Sequence, residues 1–173
     1  MRAVLVFLIA LFFGGDVLVS AGGKQTGNKG TDAAPQTVSV RGVGRFDTTP
    51  ESKDKIELVI GNVAFALEVG RGMMASKGRP VYFRGTFDGK KITCHTWVTG
   101  ARLKSITPHM FFEGEGTFKD DQVDLGGIKV ELNFLPDTAR DELEAAGQVR
   151  AIGMLVRTSD SFRYVLLKLE PAK

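Results

Sequence analysis

The stretch GVGRF at residues 42–46 closes an extended apolar run, and GEGTF at residues 114–118 closes a second one. Two glycines one residue apart weaken a strand, and they are typical of a bulge or of the sharp bend at which a small barrel turns a corner. The same arrangement therefore occurs in both halves of the chain. This repetition predicts that the chain contains a duplicated, β-rich module.

Later landmarks repeat in the same order. LVI, the turn GN and VAFAL at residues 58–67 match VDL, the turn GG and IKVEL at residues 123–132, with apolar positions coinciding on both sides of the turn. Gly78 before VYF then corresponds to Gly147 before VRAI, and the Asp-Gly turn at 88–89 to Ser-Asp at 159–160. Tight turns between alternating apolar runs predict hairpins. Each half should contain five strands.

A helix is predicted between the third and fourth strands of the second half. Residues 139–146 are rich in helix formers and end at Gly147, and either Asp137 or Thr138 is placed to cap the first turn. The matching segment of the first half, residues 70–77, is short and is compatible with a helix or a loop. The predicted order in each half is therefore three strands, a short helix or loop, and two strands.

A five-stranded barrel with a helix at that place is the arrangement of the OB-fold. The glycine-bearing first strand, the hairpin at residues 56–67 and the run GRPVYFRG at residues 78–85 resemble exported OB-fold domains of the tRNA-anticodon-binding-like type. The resemblance implies two tandem barrels, at residues 37–105 and 108–172, and it implies no reaction. The alternative fold is one larger β-barrel or sandwich built from the duplicated halves.

The beginning of the sequence is typical of an export signal. Arg2 precedes an apolar run at residues 3–13, and small residues surround Ala21, so we expect a signal peptide at residues 1–21 that is cleaved. A retained anchor is the alternative, but Asp16 interrupts the apolar run well short of the roughly 20 residues that a bilayer requires. Residues 22–36 then read as a flexible linker. The expected location is periplasmic or secreted, without a stable membrane span after cleavage.

The two halves carry charges of opposite sign. Residues 36–107 contain 12 Lys/Arg and 6 Asp/Glu, whereas residues 108–173 contain 8 and 12, so that the overall net charge of +3 conceals a basic first half and an acidic second half. Arg41 on the first strand is replaced by Glu113 at the matching place. Such asymmetry favours packing between the halves or association between chains.

The candidate binding surface combines cations with rings on the predicted outer faces of the first half. Guanidinium groups attract anions, and aromatic side chains stack on bases or sugar faces. Two alternatives remain for the rings, because Trp97 would also be suited to closing the end of the core and Tyr82 to covering the barrel flank. The predicted ligand-binding residues are Arg41, Arg45, Tyr82, Arg84, His95 and Trp97.

No catalytic, metal-binding or cofactor-binding pattern is found. The chain has two histidines and one cysteine, Cys94, on an apolar strand face. It lacks the Gly-x-Ser-x-Gly elbow of serine hydrolases, and the acidic run at residues 120–124 does not have the spacing of a calcium loop. We therefore predict no catalytic residues, no metal and no cofactor.

Two functions fit these observations best, and a catalytic protein with an undetected site, for which His95 is the best candidate residue, is a third hypothesis. The first is an exported, non-catalytic protein whose OB-like surface recognises an oligomeric or anionic ligand, either an oligosaccharide or a nucleic acid. The alternative is an envelope assembly or scaffolding protein that acts through protein–protein contacts, including self-association through the oppositely charged repeats.

Overall fold

The computed structural model describes residues 37–49, 52–68, 72–132, 135–157 and 161–172, which form a mainly β structure with one α-helix. The predicted signal peptide, the linker and the turn at 159–160 lie outside the described residues. The elements are β1 (Val38–Thr49), β2 (Ser52–Ile60), β3 (Val63–Glu68), β4 (Pro80–Phe87), β5 (Lys91–Thr99), β6 (His109–Lys119), β7 (Gln122–Asp124), β8 (Lys129–Glu131), α1 (Asp137–Ala146), β9 (Gln148–Arg157) and β10 (Phe162–Pro171).

The strands of the first half pair in a closed order. β1 pairs with β2, β2 with β3, and β4 with β5, all antiparallel, while β3 and β5 run parallel. β1 also pairs with β4 along most of its length, so that the path through the five strands returns to its start. A short 3-10 helix, Met74–Ser76, lies between β3 and β4.

The second half repeats most of these pairings, although β7 and β8 have only three residues each. β6 pairs with β7 and β9, β7 pairs with β8, and β9 pairs with β10. The register also recurs, because Gly44 lies opposite Val81 in the first half and Gly116 lies opposite Val149 in the second. Within the described residues, β8 and β10 form no ladder. The described pairings of the second half therefore do not close, because β8 and β10 lack the ladder that joins β3 to β5 in the first half.

The two halves belong to one ten-stranded mixed sheet because β1 pairs with β6. Val40 lies opposite Phe112, and the flanking pairs place Ser39 opposite Glu113 and Arg41 opposite Phe111. Val40 and Phe112 occupy equivalent positions in the two halves. The junction is therefore nearly symmetric about this pair, and the buried apolar side chains of both halves form one continuous core cluster.

Turns from the two halves meet on either side of this junction. A methyl group on Gly61, in the turn between β2 and β3, would overlap the ring of Phe162 at the start of β10. A methyl group on Gly89, between β4 and β5, would overlap the carbonyl oxygen of Gly126, between β7 and β8. The turn between β2 and β3 thus contacts the start of β10, and the turn between β4 and β5 contacts the turn between β7 and β8.

The predicted helix is present, but the predicted side-chain cap is wrong. The N-cap residue of α1 is Pro136, and no side chain caps the helix. The carboxylate of Asp137 instead accepts a hydrogen bond from the guanidinium of Arg140, 3.3 Å away and one helical turn later in the chain. Gly147 ends the helix at φ 64° and donates its N–H to the Leu143 carbonyl, as a glycine C-cap commonly does.

Tyr164 gives the fold a testable dependence on alkaline pH. Burial raises the pKa of its phenol from 10.0 to about 12. Because the unfolded chain loses this proton near pH 10 and the folded chain keeps it, we expect this residue to lower the free energy of unfolding by about 1.4 kcal/mol per pH unit between pH 10 and 12. Urea unfolding of the protein and of Tyr164→Phe across this range measures the difference. Parallel pH dependences in the two proteins would contradict the assignment.

Candidate functional site

The candidate site is the outer face of four adjacent strands, β5, β4, β1 and β6. Residues that lie directly opposite one another in a sheet project their side chains to the same face. The registers therefore align these residues in rows that cross all four strands. The central row, which we call the arginine row, consists of Thr96, Arg84, Arg41 and Phe111.

Two exposed guanidinium groups stand side by side in the arginine row. Arg41 and Arg84 are direct cross-strand partners on β1 and β4. Each lies over a ring: the Arg41 guanidinium carbon is 5.9 Å from the centroid of Phe111, and that of Arg84 is 5.8 Å from the centroid of Tyr82. The Arg84 Nε also donates a hydrogen bond of 3.2 Å to the Tyr82 hydroxyl. Ring contacts thus hold both cations against the sheet.

Neither of these arginines forms an ion pair with any carboxylate in the described parts of the chain. Like charges directly opposite each other are destabilising in a sheet. Other arginines form ion pairs with carboxylates: Arg45 pairs with Asp47 at 3.1 Å, and Arg140 pairs with Asp121 at 2.7 Å. The arrangement of Arg41 and Arg84 therefore concentrates positive charge that an incoming anion would relieve.

Arg45 and His95 lie at the margins of this face. Arg45 lies on β1, two residues after Val43 and four after Arg41. Its ion pair with Asp47 partly neutralises its charge. His95 is the extra residue of a β-bulge in β5, and its Nε2 lies 3.4 Å from the hydroxyl of Thr86, one row beyond Arg84. The structure therefore brings Arg41, Tyr82 and Arg84 together and leaves these two residues beside them.

Trp97 lies on the inner side of the sheet, although simple alternation along β5 places it outward with His95. The bulge at His95 shifts the side-chain alternation by one residue, so that Trp97 is opposite the fully buried Phe83. Its ring packs edge-on against Phe46, with centroids 6.1 Å apart. The role that fits this position is closure of the core, the alternative that the sequence left open.

Phe111 is the residue of this face that sequence reasoning missed. It follows Met110 and precedes Phe112, both buried, so a run of three apolar residues gave no sign that the middle one faces outward. Its ring is also 5.4 Å from that of His109 in an edge-on contact. Since Phe111 belongs to the second half, the face is built by both halves, and this follows from the pairing of β1 with β6.

The equivalent face of the second half is closed by an ion pair. Glu113 stands where the first half has Arg41, and Arg150 stands where it has Tyr82. The two side chains form a direct hydrogen-bonded salt bridge, and the Glu113 carboxylate raises the pKa of Arg150. An anion arriving there would have to displace a carboxylate. The two faces share one backbone arrangement, but within the described ranges the first face has two adjacent arginines without an ion pair.

A concave cleft of about 460 Å³ lies elsewhere, around the turn between β6 and β7. Asp120 and Asp121 form this turn with φ of 51° and 57°, as a tight hairpin requires. Its lining is mainly acidic and comprises Thr117, Lys119, Asp120, Asp121, Gln122, Asp124 and Glu131. Intrachain cations meet several of these charges, since Arg140 binds Asp121 and Lys129 lies 3.5 Å from Asp124. We call this region the acidic cleft.

Reactive groups in the described ranges show no arrangement typical of catalysis. Burial raises the pKa of the Cys94 thiol, and its Sγ lies 3.5 Å from the Thr96 carbonyl oxygen, so the group stays protonated near neutral pH. His109 has its Nδ1 2.9 Å from the Thr107 carbonyl oxygen. No set of three or more His, Cys, Asp or Glu in these ranges is placed to hold a metal ion.

Comparisons with known proteins place the chain in no family: no family model matches it, and no curated protein or solved structure matches it either. Among the described residues, none of the helices has the length and apolar character needed to span a bilayer.

Proposed function

We propose that the chain is an exported, non-catalytic binding protein made of two OB-like modules, and that the arginine row recognises an anionic ligand. The ligand classes expected from the sequence are an oligosaccharide or a nucleic acid, and acidic oligosaccharides and nucleic acids carry the carboxylate, sulfate or phosphate groups that two arginines would bind. The module assignment is supported by the recurring registers and by the closed pairing order of the first five strands. OB-folds bind oligomers on outer strand faces, often that of strands 2 and 3, whereas the face here lies on β1 and β4.

The observation that carries this proposal is the juxtaposition of Arg41 and Arg84 without a carboxylate partner among the described residues. Two guanidinium groups on facing positions of neighbouring strands can donate several hydrogen bonds to one phosphate, sulfate or carboxylate. Their stacking on Phe111 and Tyr82 fixes their position before a ligand arrives. Less side-chain entropy is then lost on binding.

The second candidate, assembly through oppositely charged surfaces, is supported by the acidic cleft. A cleft with Asp120, Asp121 and Asp124 could receive a basic surface of another chain. However, Arg140 and Lys129 already meet two of these charges within the chain, whereas the arginine row has no such compensation in the described residues. The physical argument for binding is therefore stronger at the arginine row.

Removal of one arginine should weaken anion binding selectively. Because a hydrogen bond to a charged group is worth about 1.5–3 kcal/mol, Arg84→Gln should reduce affinity at least tenfold for whichever polyanion binds, a labelled single-stranded oligonucleotide or a sulfated hexasaccharide. Lys119→Gln, which removes the same charge from a side chain that is 84% exposed in the acidic cleft, is the matched control. Titrations of the full chain at physiological salt, followed by fluorescence anisotropy or calorimetry, provide the measurement.

Equal weakening by Arg84→Gln and Lys119→Gln would mean that net charge rather than a site attracts the ligand. Absence of saturable binding to either polyanion, together with oligomers that dissociate as salt rises, would instead favour assembly.

A further inference from the structure

The arginine row continues into the second half of the chain. Phe111 on β6 lies opposite Met154 on β9, and Met154 lies opposite Val165 on β10. A single row thus crosses six strands. It begins with Thr96, Arg84 and Arg41 and ends with three apolar side chains, Phe111, Met154 and Val165.

The apolar side chains at the far end form an outward-facing patch rather than a part of the core. We define the apolar patch as Phe111, Ile152, Met154, Val156 and Val165, all half-buried. Their neighbours in sequence, such as Met110 and Leu155, are buried and belong to the core cluster. None of the five belongs to that cluster or to the partly buried residues packed against it. Their exposed carbon surface is therefore available on the outer face.

The charged side chains directly beside the apolar patch have partners within the chain. Glu113, one row away from Phe111, is bound by Arg150, and Lys168, opposite Ile152, pairs with Glu170 at 2.8 Å. Arg163, opposite Val156, donates a hydrogen bond of 3.3 Å from its Nε to the Ser161 hydroxyl. Arg41 and Arg84, which have no carboxylate partner among the described residues, stand at one end of the patch. The face is therefore polarised, with an anion-attracting end and an apolar end.

The spacing of the row sets the shape of a matching ligand. Neighbouring strands are about 4.8 Å apart, so that the three steps from Arg41 to Val165 cover about 14 Å. A polymer with a charge on every unit, laid along this row, would place anionic groups over the carbon surface of the patch. These groups would lose hydration and form no compensating hydrogen bonds or ion pairs. A molecule with one anionic head and an apolar chain would place the head at the arginines and its chain over the patch.

We propose that the ligand of this face is a single-chain anionic amphiphile, with its phosphate, sulfate or carboxylate head bound by Arg41 and Arg84 and its chain lying across Phe111, Met154 and Val165. The inference rests on the anion binding proposed for the arginine pair, and it replaces the polymeric ligand classes with a ligand that carries one anionic head and one apolar chain. It also assigns a role to the second half, which supplies the apolar part of the site.

A series of alkyl phosphates tests the inference directly. Calorimetry of the full chain with inorganic phosphate and with butyl, octyl and dodecyl phosphate, each below its micelle concentration, should show affinity that rises with chain length. A fully buried methylene contributes about fourfold in affinity, and partial burial on an open face should give about twofold per methylene. The gain should level off once the chain exceeds the length of the patch.

Variants separate the two ends of the site. Met154→Ser should reduce the affinity for octyl phosphate about tenfold and leave that for inorganic phosphate unchanged, whereas Arg84→Gln should weaken both. Met74→Ser, at a methionine that is 47% exposed in the 3-10 helix Met74–Ser76, is the matched control and should have no effect. Circular dichroism of each variant checks that the fold is retained.

The outcomes distinguish this inference from the proposed function. If Arg84→Gln weakens every phosphate but affinity is independent of chain length, the arginine pair binds anions and the amphiphile inference is wrong. If Met154→Ser and Met74→Ser change the affinity for octyl phosphate equally, the alkyl chain does not bind to the apolar patch, and the inference also fails. If no phosphate binds and Met154→Ser instead dissociates a dimer, the patch is covered by a second copy, and both proposals are contradicted.

Discussion

Replacing Gly42 with alanine should lower the free energy of unfolding by about 3 kcal/mol, toward the upper end of the usual cost of overpacking. A methyl group at Gly42 would overlap the carbonyl oxygen of His109 and the Cα of Met110 on the neighbouring strand. Both obstacles are backbone atoms. They cannot rotate away as a side chain would, so β1 and β6 must separate locally and the junction between the halves must loosen.

Gly100→Ala is the matched control for Gly42→Ala. Gly100 has an extended backbone, with φ −170°, and a methyl group there would meet nothing within 4 Å. Its substitution should change stability by no more than about 0.5 kcal/mol. Urea unfolding of both variants gives the comparison. Equal stability of the two variants would show that the backbones of β1 and β6 are not in close contact at Gly42.

Gly89→Ala should be costly for two separable reasons, with a total loss of about 4 kcal/mol. Gly89 has φ 86°, which costs a non-glycine residue about 1 kcal/mol or more, and a methyl group would also overlap the Gly126 carbonyl oxygen from the other half. The second contribution is the larger. It reports the contact between the turn that joins β4 to β5 and the turn that joins β7 to β8.

Gly78→Ala isolates that second contribution. Gly78 has a similar φ of 74° but no atom within 4 Å of an added methyl group, so its substitution should cost only about 1 kcal/mol. The difference between the two variants in thermal or urea unfolding measures the contact between the halves. If Gly78→Ala and Gly89→Ala destabilise the protein equally, the two turns do not touch in solution.

The β-rich character of the fold was predictable because it depends on local signals. Alternating apolar residues marked the strands, and positive-φ glycines occupy turns where the sequence predicted them, including Gly61 and Gly126. The helix before Gly147 was also predicted, and the structure confirms it with a start at Asp137. These features need only short-range patterns of side-chain size and backbone freedom.

The pairing of β1 with β6 could not be predicted from such patterns. Backbone groups at strand edges form this ladder, and they are the same for every residue except proline. From the sequence, each half was therefore expected to have an outer face of its own. Nothing in the pattern indicated that Phe111, in the second half, would complete the face of the first half. Two separate barrels were expected, whereas all the described strands belong to one sheet around one core cluster.

The candidate site was predictable in part for a similar reason. Alternation along β1 and β4 placed Arg41, Tyr82 and Arg84 outward, and they are neighbours in the structure. Along β5 the prediction failed for Trp97, because a bulge at His95 inserts one residue and exchanges the two faces beyond it. A bulge without glycine or proline leaves no clear signal in a single sequence.

NMR of the full chain during titration with octyl phosphate shows whether Arg41 and Arg84 form an anion-binding site. We expect the Nε–H resonances of these two arginines to shift first and with the same saturation curve, together with backbone amides of β1, β4 and β6. Shifts confined to residues of the acidic cleft, or small shifts spread evenly over all exposed lysines and arginines, would contradict this expectation.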